Sequence, residues 1–183
     1  MHRLTAILLL SAILFYIPGG YSNTITEQQH TLHDVLVTTE VLADLAGKVG
    51  RGVVSVRSLL GRSSPETFTL TPRTAALVAS ADAFLYIGYG SEDRVGKLAH
   101  EIRKGVRTFR LADLMGVGDV REAFWVSPSG AMAMAGAIAR VFTELYPEMA
   151  PTIEKNVEEL RRELMELDAW IRSELGSLSG RTA

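Results

Sequence analysis

Short apolar runs alternate with segments of helical spacing through the middle of the chain, and this alternation constrains the fold more than any other feature. Residues 34–39, 53–60, 83–87 and 106–111 are rich in β-branched, aliphatic or aromatic side chains and have the length of buried strands. Strands that alternate with helices favour a parallel sheet, because each crossover lays a helix on one face of the sheet. The sequence therefore predicts an α/β fold in which a parallel sheet carries helices on both faces.

Helices are predicted between and after these strands. Apolar residues at helical spacing predict a helix over residues 41–49, and a proline suited to a first helical turn opens another over residues 72–80. Residues 93–104 and the alanine-rich segment 129–145 are predicted as two further helices. The small side chains of residues 129–145 allow that helix to pack closely against a neighbour.

The end of the chain carries one continuous apolar stripe. Apolar residues recur at intervals of three or four from Ile153 to Leu175, prolines precede the stripe, and Gly176 follows it. This pattern predicts a long helix over residues 148–176. It fits a surface helix lying across a domain or a coiled-coil partner, and the first is favoured because the stripe lasts barely three heptads.

Composition excludes several classes of function. The chain has 183 residues, 19 Lys and Arg against 21 Asp and Glu, and no cysteine. Without a basic excess to neutralise phosphates, nucleic acid is not expected as a main partner. The absence of cysteine excludes disulfide scaffolds, thiolate zinc sites, iron–sulfur clusters, cysteine nucleophiles and lipid attachment through an N-terminal cysteine.

The N-terminal residues have the layout of a secretory signal. Arg3 precedes an apolar run from Leu4 to Ile17, a proline and glycines break that run, and small polar residues follow. We therefore expect a signal peptide over residues 1–22, a flexible leader over residues 23–32, and a periplasmic or extracellular protein. The alternative is an uncleaved segment that tethers the chain to the membrane, although the run is short for a span of about 20 residues.

One loop offers a metal ligand. The loop from Gly61 to Thr71 follows a predicted strand and precedes a helix, and ligands of open α/β sheets bind where such loops lie. Glu66 is the carboxylate of this loop and, as a hard oxygen donor, could bind a divalent metal. The alternative is a solvated loop glutamate.

The remaining candidates are weaker. In the loop of residues 121–128 we expect Trp125 to lie in the core or a pocket wall and Glu122 to be exposed. His30 and His33 have a spacing that metal ligands can use, but a leader is a poor preorganised site, and His100 is expected on a helix surface. Motifs of hydrolases, zinc proteases and phosphate-binding loops are absent from the sequence, so no enzyme is predicted.

At these loops the sequence resembles the substrate-binding proteins of metal ABC transporters, the TroA-like zinc and manganese binders. Residues 35–39 with 42–45 resemble the first strand and helix of that family. Residues 65–73 (PETFTLTPR) stand where the family has Pro-His-x-Tyr-Glu-Pro-Thr-Pro, and residues 124–128 (FWVSP) resemble its Asp-Pro-His-x-Trp-Leu-Asp/Ser-Pro segment. The resemblance extends from Val35 to the end of the chain.

The resemblance divides the chain into an N-terminal metal-binding lobe over residues 33–147, a rigid linking helix over 148–176 and the start of a second lobe over 177–183. The family builds its site from two ligands in each lobe. Here the first N-terminal position is Glu66, which can ligate, and the second is Ala123, which cannot. The other two positions would lie beyond residue 183, so we expect a degenerate site in an apparently truncated chain.

The family's function sets the remaining expectations. The resemblance implies a non-enzymatic solute-binding protein that captures Zn²⁺ or Mn²⁺ as transported ligand, without an organic cofactor, and delivers it to the membrane permease of an ABC transporter. The alternative is a structural or interaction lobe that has kept the fold and lost the ligands. Self-association is then expected through the apolar face that a second lobe would cover.

Overall fold

The computed structural model describes residues 32–102, 105–117 and 124–178. The predicted signal peptide, the predicted leader up to residue 31 with its His30, and Glu122 and Ala123 lie outside the described residues. From Leu32 onward the chain forms one compact unit. No helix within the described ranges is long and apolar enough to span a membrane.

The centre of the unit is a parallel sheet of four strands. The strands are β1 (His33–Val37), β2 (Val54–Ser58), β3 (Ala83–Tyr86) and β4 (Arg107–Arg110), in the spatial order β2-β1-β3-β4. Val35 of β1 pairs with residues of β2 and β3, so β1 lies in the interior of the sheet. The predicted α/β class is confirmed.

Helices cover both faces of the sheet, as the sequence predicts. They are α1 (Glu40–Val49), α2 (Pro72–Ser80), α3 (Gly90–Ile102), the single turn α4 (Leu111–Leu114), α5 (Pro128–Leu145) and α6 (Ala150–Leu178). Side chains at alternate strand positions point to opposite faces. Val35, Val37 and Leu85 therefore enter a core with α1, α5 and α6, whereas Leu36 and Phe84 enter a second core with α2 and α3.

Hydroxyl side chains fix where three helices begin. Thr39 accepts a hydrogen bond from the backbone N–H of Leu42 at the start of α1, and Ser127 accepts one from Gly130 at the start of α5. Thr71 and Thr74 form a reciprocal capping box at the start of α2. Thr39 lies two residues after the end of β1, so this cap sets the direction in which the chain leaves that strand.

The long helix α6 starts and ends two residues later than predicted. A short 3-10 turn over Pro147–Met149 precedes it, and the helix continues through Gly176 to Leu178, because one glycine near a helix end costs only about 1 kcal/mol. Its first half packs on α1 and α5 through Ile153 and Leu160. The buried amide of Asn156 donates to the carbonyls of Val49 and Arg51 at 3.0 and 2.9 Å, which ties α6 to the end of α1.

Candidate metal site

A pocket of about 330 Å³ lies at the carboxyl edge of the sheet, where ligands of open parallel sheets bind. It opens between the segments that follow β1, β2 and β3. Its lining comprises residues from all three of these segments and one aromatic residue from before α5: Thr39, Val41, Pro65, Glu66, Ile87, Tyr89, Gly90, Ser91, Glu92 and Trp125. The two charged residues of this described lining are carboxylates, so the pocket is suited to a cation.

Glu66 reaches the pocket from a short 3-10 turn over Pro65–Thr67. Its side chain is exposed, and one carboxylate oxygen accepts a hydrogen bond from the hydroxyl of Ser64. The turn is closed by a further local bond from the backbone N–H of Thr67 to the carbonyl of Ser64 at 3.1 Å. The structure thus places Glu66 in a pocket with its carboxylate open to solvent.

Glu92 also lines the pocket; it lies in the first turn of α3, and only 3% of its surface is exposed. One carboxylate oxygen accepts from the hydroxyl of Thr38 and from the backbone N–H of Ile87. The other accepts from the N–H groups of Gly88 and Tyr89 at 3.0 and 3.4 Å. These four donors compensate the buried charge.

Two aromatic rings form the pocket wall. Tyr89 and Trp125 meet edge to face with ring centroids 4.9 Å apart, an arrangement that aromatic pairs prefer. The sequence predicts Trp125 in the core or a pocket wall, and the structure places it half-buried in the wall.

An ion-pair network contacts the loop that follows β3. The guanidinium of Arg110 donates to Asp93, Asp113 and the carbonyl of Gly88 at 3.1, 2.6 and 3.0 Å. Burial opposes ionisation of Asp93, but hydrogen bonds from Lys97 and Arg110 outweigh that effect and lower the pKa of the Asp93 carboxyl. The bond from Arg110 to the carbonyl of Gly88 therefore holds the loop in addition to the bonds of Glu92.

The predicted histidine candidates lie elsewhere. His33 lies at the start of β1, the opposite end of that strand from the pocket, and its ring stacks on Tyr146 with centroids 3.9 Å apart. His100 is exposed near the end of α3, as expected for a surface residue. Across the three described ranges, no group of three or more His, Asp or Glu side chains is close enough to hold a metal ion.

Sequence reasoning missed Glu92. The helical pattern predicts a start at Asp93, which gives Glu92 no role in the preceding loop. An acidic residue in the first turn of a helix that follows a glycine-containing loop is a recognisable signal for a carboxylate that caps backbone N–H groups.

Solved structures share this architecture. Zn(II)-bound AdcA from Streptococcus pneumoniae superposes with a TM-score of 0.66 at 23% identity, over 75% of this chain and 32% of that one. The Mn-bound periplasmic metal-binding protein from Candidatus Liberibacter asiaticus superposes with a TM-score of 0.64 at 22% identity, over 81% of this chain and 56% of that one. This chain therefore shares its fold with part of each of these two proteins.

The chain belongs to the family described as ZnuA, zinc-uptake complex component A, periplasmic, whose profile matches residues 35–183. It is also 24% identical to the manganese-binding lipoprotein MntA of Bacillus subtilis, over 93% of this chain. This chain spans 60% of the length of that relative. The resemblance predicted from the two loops is therefore confirmed.

Proposed function

We propose that this chain is the metal-capturing lobe of a solute-binding protein that serves an ABC transporter for Zn²⁺ or Mn²⁺. The observation that carries the proposal is the pocket at the carboxyl edge of the sheet, with an exposed Glu66 and no cationic side chain in its described lining. Family membership supports the same solute class. The transported ion is the ligand, and the chain acts by binding it rather than by catalysis.

The described donors of the pocket favour a hard ion. Glu66, Thr39, Ser91 and Tyr89 offer carboxylate or hydroxyl oxygen, and the described lining contains no imidazole. Oxygen ligands suit Mn²⁺ better than Zn²⁺, which prefers nitrogen and sulfur donors. We therefore propose Mn²⁺ as the better ligand of this lobe.

The wider assignment follows from the family. We propose that residues 33–147 form the N-terminal lobe, that α6 is its linking helix, and that residues 1–22 direct export to the periplasm or cell exterior. In this assignment the lobe delivers its ion to a membrane permease. Because Glu66 is one ligand and Ala123 stands at the second expected position, the site of this chain is incomplete and its affinity for metal is weak.

Calorimetric titration with MnCl₂ and ZnCl₂ tests the proposal. The purified chain should release or absorb heat above the dilution background, with stronger binding of Mn²⁺ than of Zn²⁺. Glu66→Ala should remove that signal, whereas Glu154→Ala, which neutralises an exposed glutamate on α6, should leave it unchanged. A signal equal in the Glu66→Ala variant and the parent chain would remove the metal-binding proposal.

The second candidate is an interaction lobe that pairs with a second copy of itself. It is favoured by the second half of α6, where the apolar stripe continues beyond the core. Large apolar side chains there are between 44% and 61% exposed: Met165, Leu167, Trp170 and Leu175. Leu167 and Trp170 are three residues apart and therefore neighbours on one side of the helix, where exposed apolar side chains favour association.

Light scattering coupled to size exclusion separates the two candidates. An interaction lobe should elute as a dimer that becomes monomeric when Leu167→Glu and Trp170→Glu are combined. A chain that is monomeric over the accessible concentration range, and that responds to Mn²⁺ in calorimetry, would eliminate the second candidate.

A further inference from the structure

We infer that Glu92 is the positioning residue of the pocket: its carboxylate is not a ligand but holds the segment that forms the pocket floor and wall. The inference rests on the proposed function, because it assigns a role to a second carboxylate of the same pocket. It starts from an unusual feature of the fold, a carboxylate that is almost completely buried and whose hydrogen bonds within the described part of the chain come from neutral donors.

The donors of Glu92 come from two separate strands. Thr38, which is fully buried, directly follows β1, whereas Ile87, Gly88 and Tyr89 are consecutive residues after β3. The carboxylate therefore joins the carboxyl ends of two neighbouring strands. It also satisfies three successive backbone N–H groups that the sheet does not pair, and buried N–H groups left unpaired are strongly destabilising.

This arrangement requires a carboxylate. Three N–H groups and one hydroxyl converge on two oxygens, and a glutamine would replace one of those oxygens by an NH₂ group that cannot accept. The position of Glu92 in the first turn of α3 adds favourable interaction with the helix dipole. Since both oxygens are already occupied, Glu92 offers far less to a metal ion than the exposed Glu66.

The bonds of Glu92 extend to the pocket wall. The N–H of Tyr89 donates to Glu92, and the ring of Tyr89 contacts the ring of Trp125. Fixing the backbone of residues 87–89 therefore fixes the aromatic wall that faces the pocket. Loss of the carboxylate should loosen this wall even though Glu92 itself contacts no ligand.

The test measures the loop and the wall directly, before any metal is added. The sequence contains two tryptophans, so Trp170→Phe leaves Trp125 as the single source of tryptophan emission. In Glu92→Gln, hydrogen exchange at Ile87, Gly88 and Tyr89 should accelerate by about tenfold or more, and Trp125 emission should shift to longer wavelength. Titration with MnCl₂ should then show an affinity weakened by about tenfold.

Matched variants separate positioning from folding. Thr38→Val removes one donor to Glu92 and should reproduce part of the change, Thr38→Ser keeps the hydroxyl and should restore parental exchange, and Glu154→Gln should change nothing. If Glu92→Gln does not fold, the comparison of Thr38→Val with Thr38→Ser is sufficient to test the inference. The far-ultraviolet circular dichroism of each variant establishes that it is folded.

Two results would overturn the inference. The first is that folded Glu92→Gln and Thr38→Val show the same hydrogen exchange and the same Trp125 emission as the parent chain. The second is loss of the Mn²⁺ response in Glu92→Gln with exchange and emission unchanged, which would make Glu92 a ligand. A parent chain that binds no metal, but whose variants show the expected exchange, would refute the proposed function and leave the positioning role intact.

Discussion

The loops after β2 and β3 leave the same edge of the sheet, yet they are held by different means. The β2 loop, residues 61–71, is largely exposed, and its glutamate bonds to Ser64 within the same loop. The β3 loop, residues 87–89, is bound to a buried glutamate and to the ion pairs of Arg110. Two glutamates at the same edge of the sheet therefore differ in burial: the carboxylate of Glu66 is open to solvent, whereas that of Glu92 is enclosed by backbone and hydroxyl donors.

Removing each carboxylate should give the largest contrast. Glu92→Ala leaves several buried donors unpaired and should lower the free energy of unfolding by about 3 to 4 kcal/mol, whereas Glu66→Ala should change it by less than about 0.5 kcal/mol. Urea unfolding followed by circular dichroism measures both values. Equal losses in the two variants would show that the loops do not differ in this way.

The glycines of the two loops provide a second contrast. Gly88 has a φ of +90°, and a Cβ there would overlap Nε of Arg110 and lie 2.8 Å from its Cγ. Gly61 has a φ of +54°, and its Cβ would meet Oε1 of Glu40 at an ordinary 3.9 Å. Gly88→Ala should therefore cost about 2 to 3 kcal/mol and Gly61→Ala about 1 kcal/mol.

Thermal unfolding of the two glycine variants shows which of them loses more stability. Gly88→Ala should also increase hydrogen exchange around Arg110, because the added methyl group displaces its side chain. A cost for Gly61→Ala that equals or exceeds that for Gly88→Ala would contradict the packing difference.

The smallest expected contrast is between the ion pairs of Asp93 and the exposed ion pair of Asp44. Asp93 has a lowered pKa in the folded state, so its contribution to stability is present above the unfolded pKa of about 4 and is lost as the pH falls through the lower folded value. Asp93→Asn should cost about 1 kcal/mol at pH 7, and this difference should shrink as the pH falls below about 4. Asp44→Asn removes an exposed pair with Lys48 and should cost a few tenths of a kcal/mol at most.

Urea unfolding at a series of pH values from neutral to about pH 3 checks this prediction. A difference between the parent chain and Asp93→Asn that stays constant, or grows in acid, would mean that Asp93 is not stabilised as a carboxylate by Arg110 and Lys97.

Much of the fold was predictable because local patterns determine it. The strands β1 and β3 are largely buried on both faces, so they appear in the sequence as apolar runs, and the proline that marked the start of the second helix, Pro72, is the first residue of α2. The stripe of α6 was recognisable for the same reason. Strand order is a property of long-range packing, and the sequence did not predict β2-β1-β3-β4.

The site was predictable in part. Glu66 lies in the pocket, as its loop suggested, because the carboxyl ends of parallel strands meet at one edge of the sheet. Glu92 was missed although its place in the first turn of α3 suggests a local cap; its bond to Thr38, 54 residues earlier, and the burial of its side chain cannot be read from the sequence. The contact of Tyr89 with Trp125 likewise joins residues distant in sequence.

The two hydrogen bonds of Asn156 also determine the rotational phase of α6. They fix the helix about its own axis at one point, and each later residue is turned by about 100° relative to the one before it. The direction in which Trp170 points is thus set by an amide several turns away. An insertion of one residue directly after Leu164 would rotate the exposed end of the stripe by about 100° while leaving the core contacts of Ile153 and Leu160 in place.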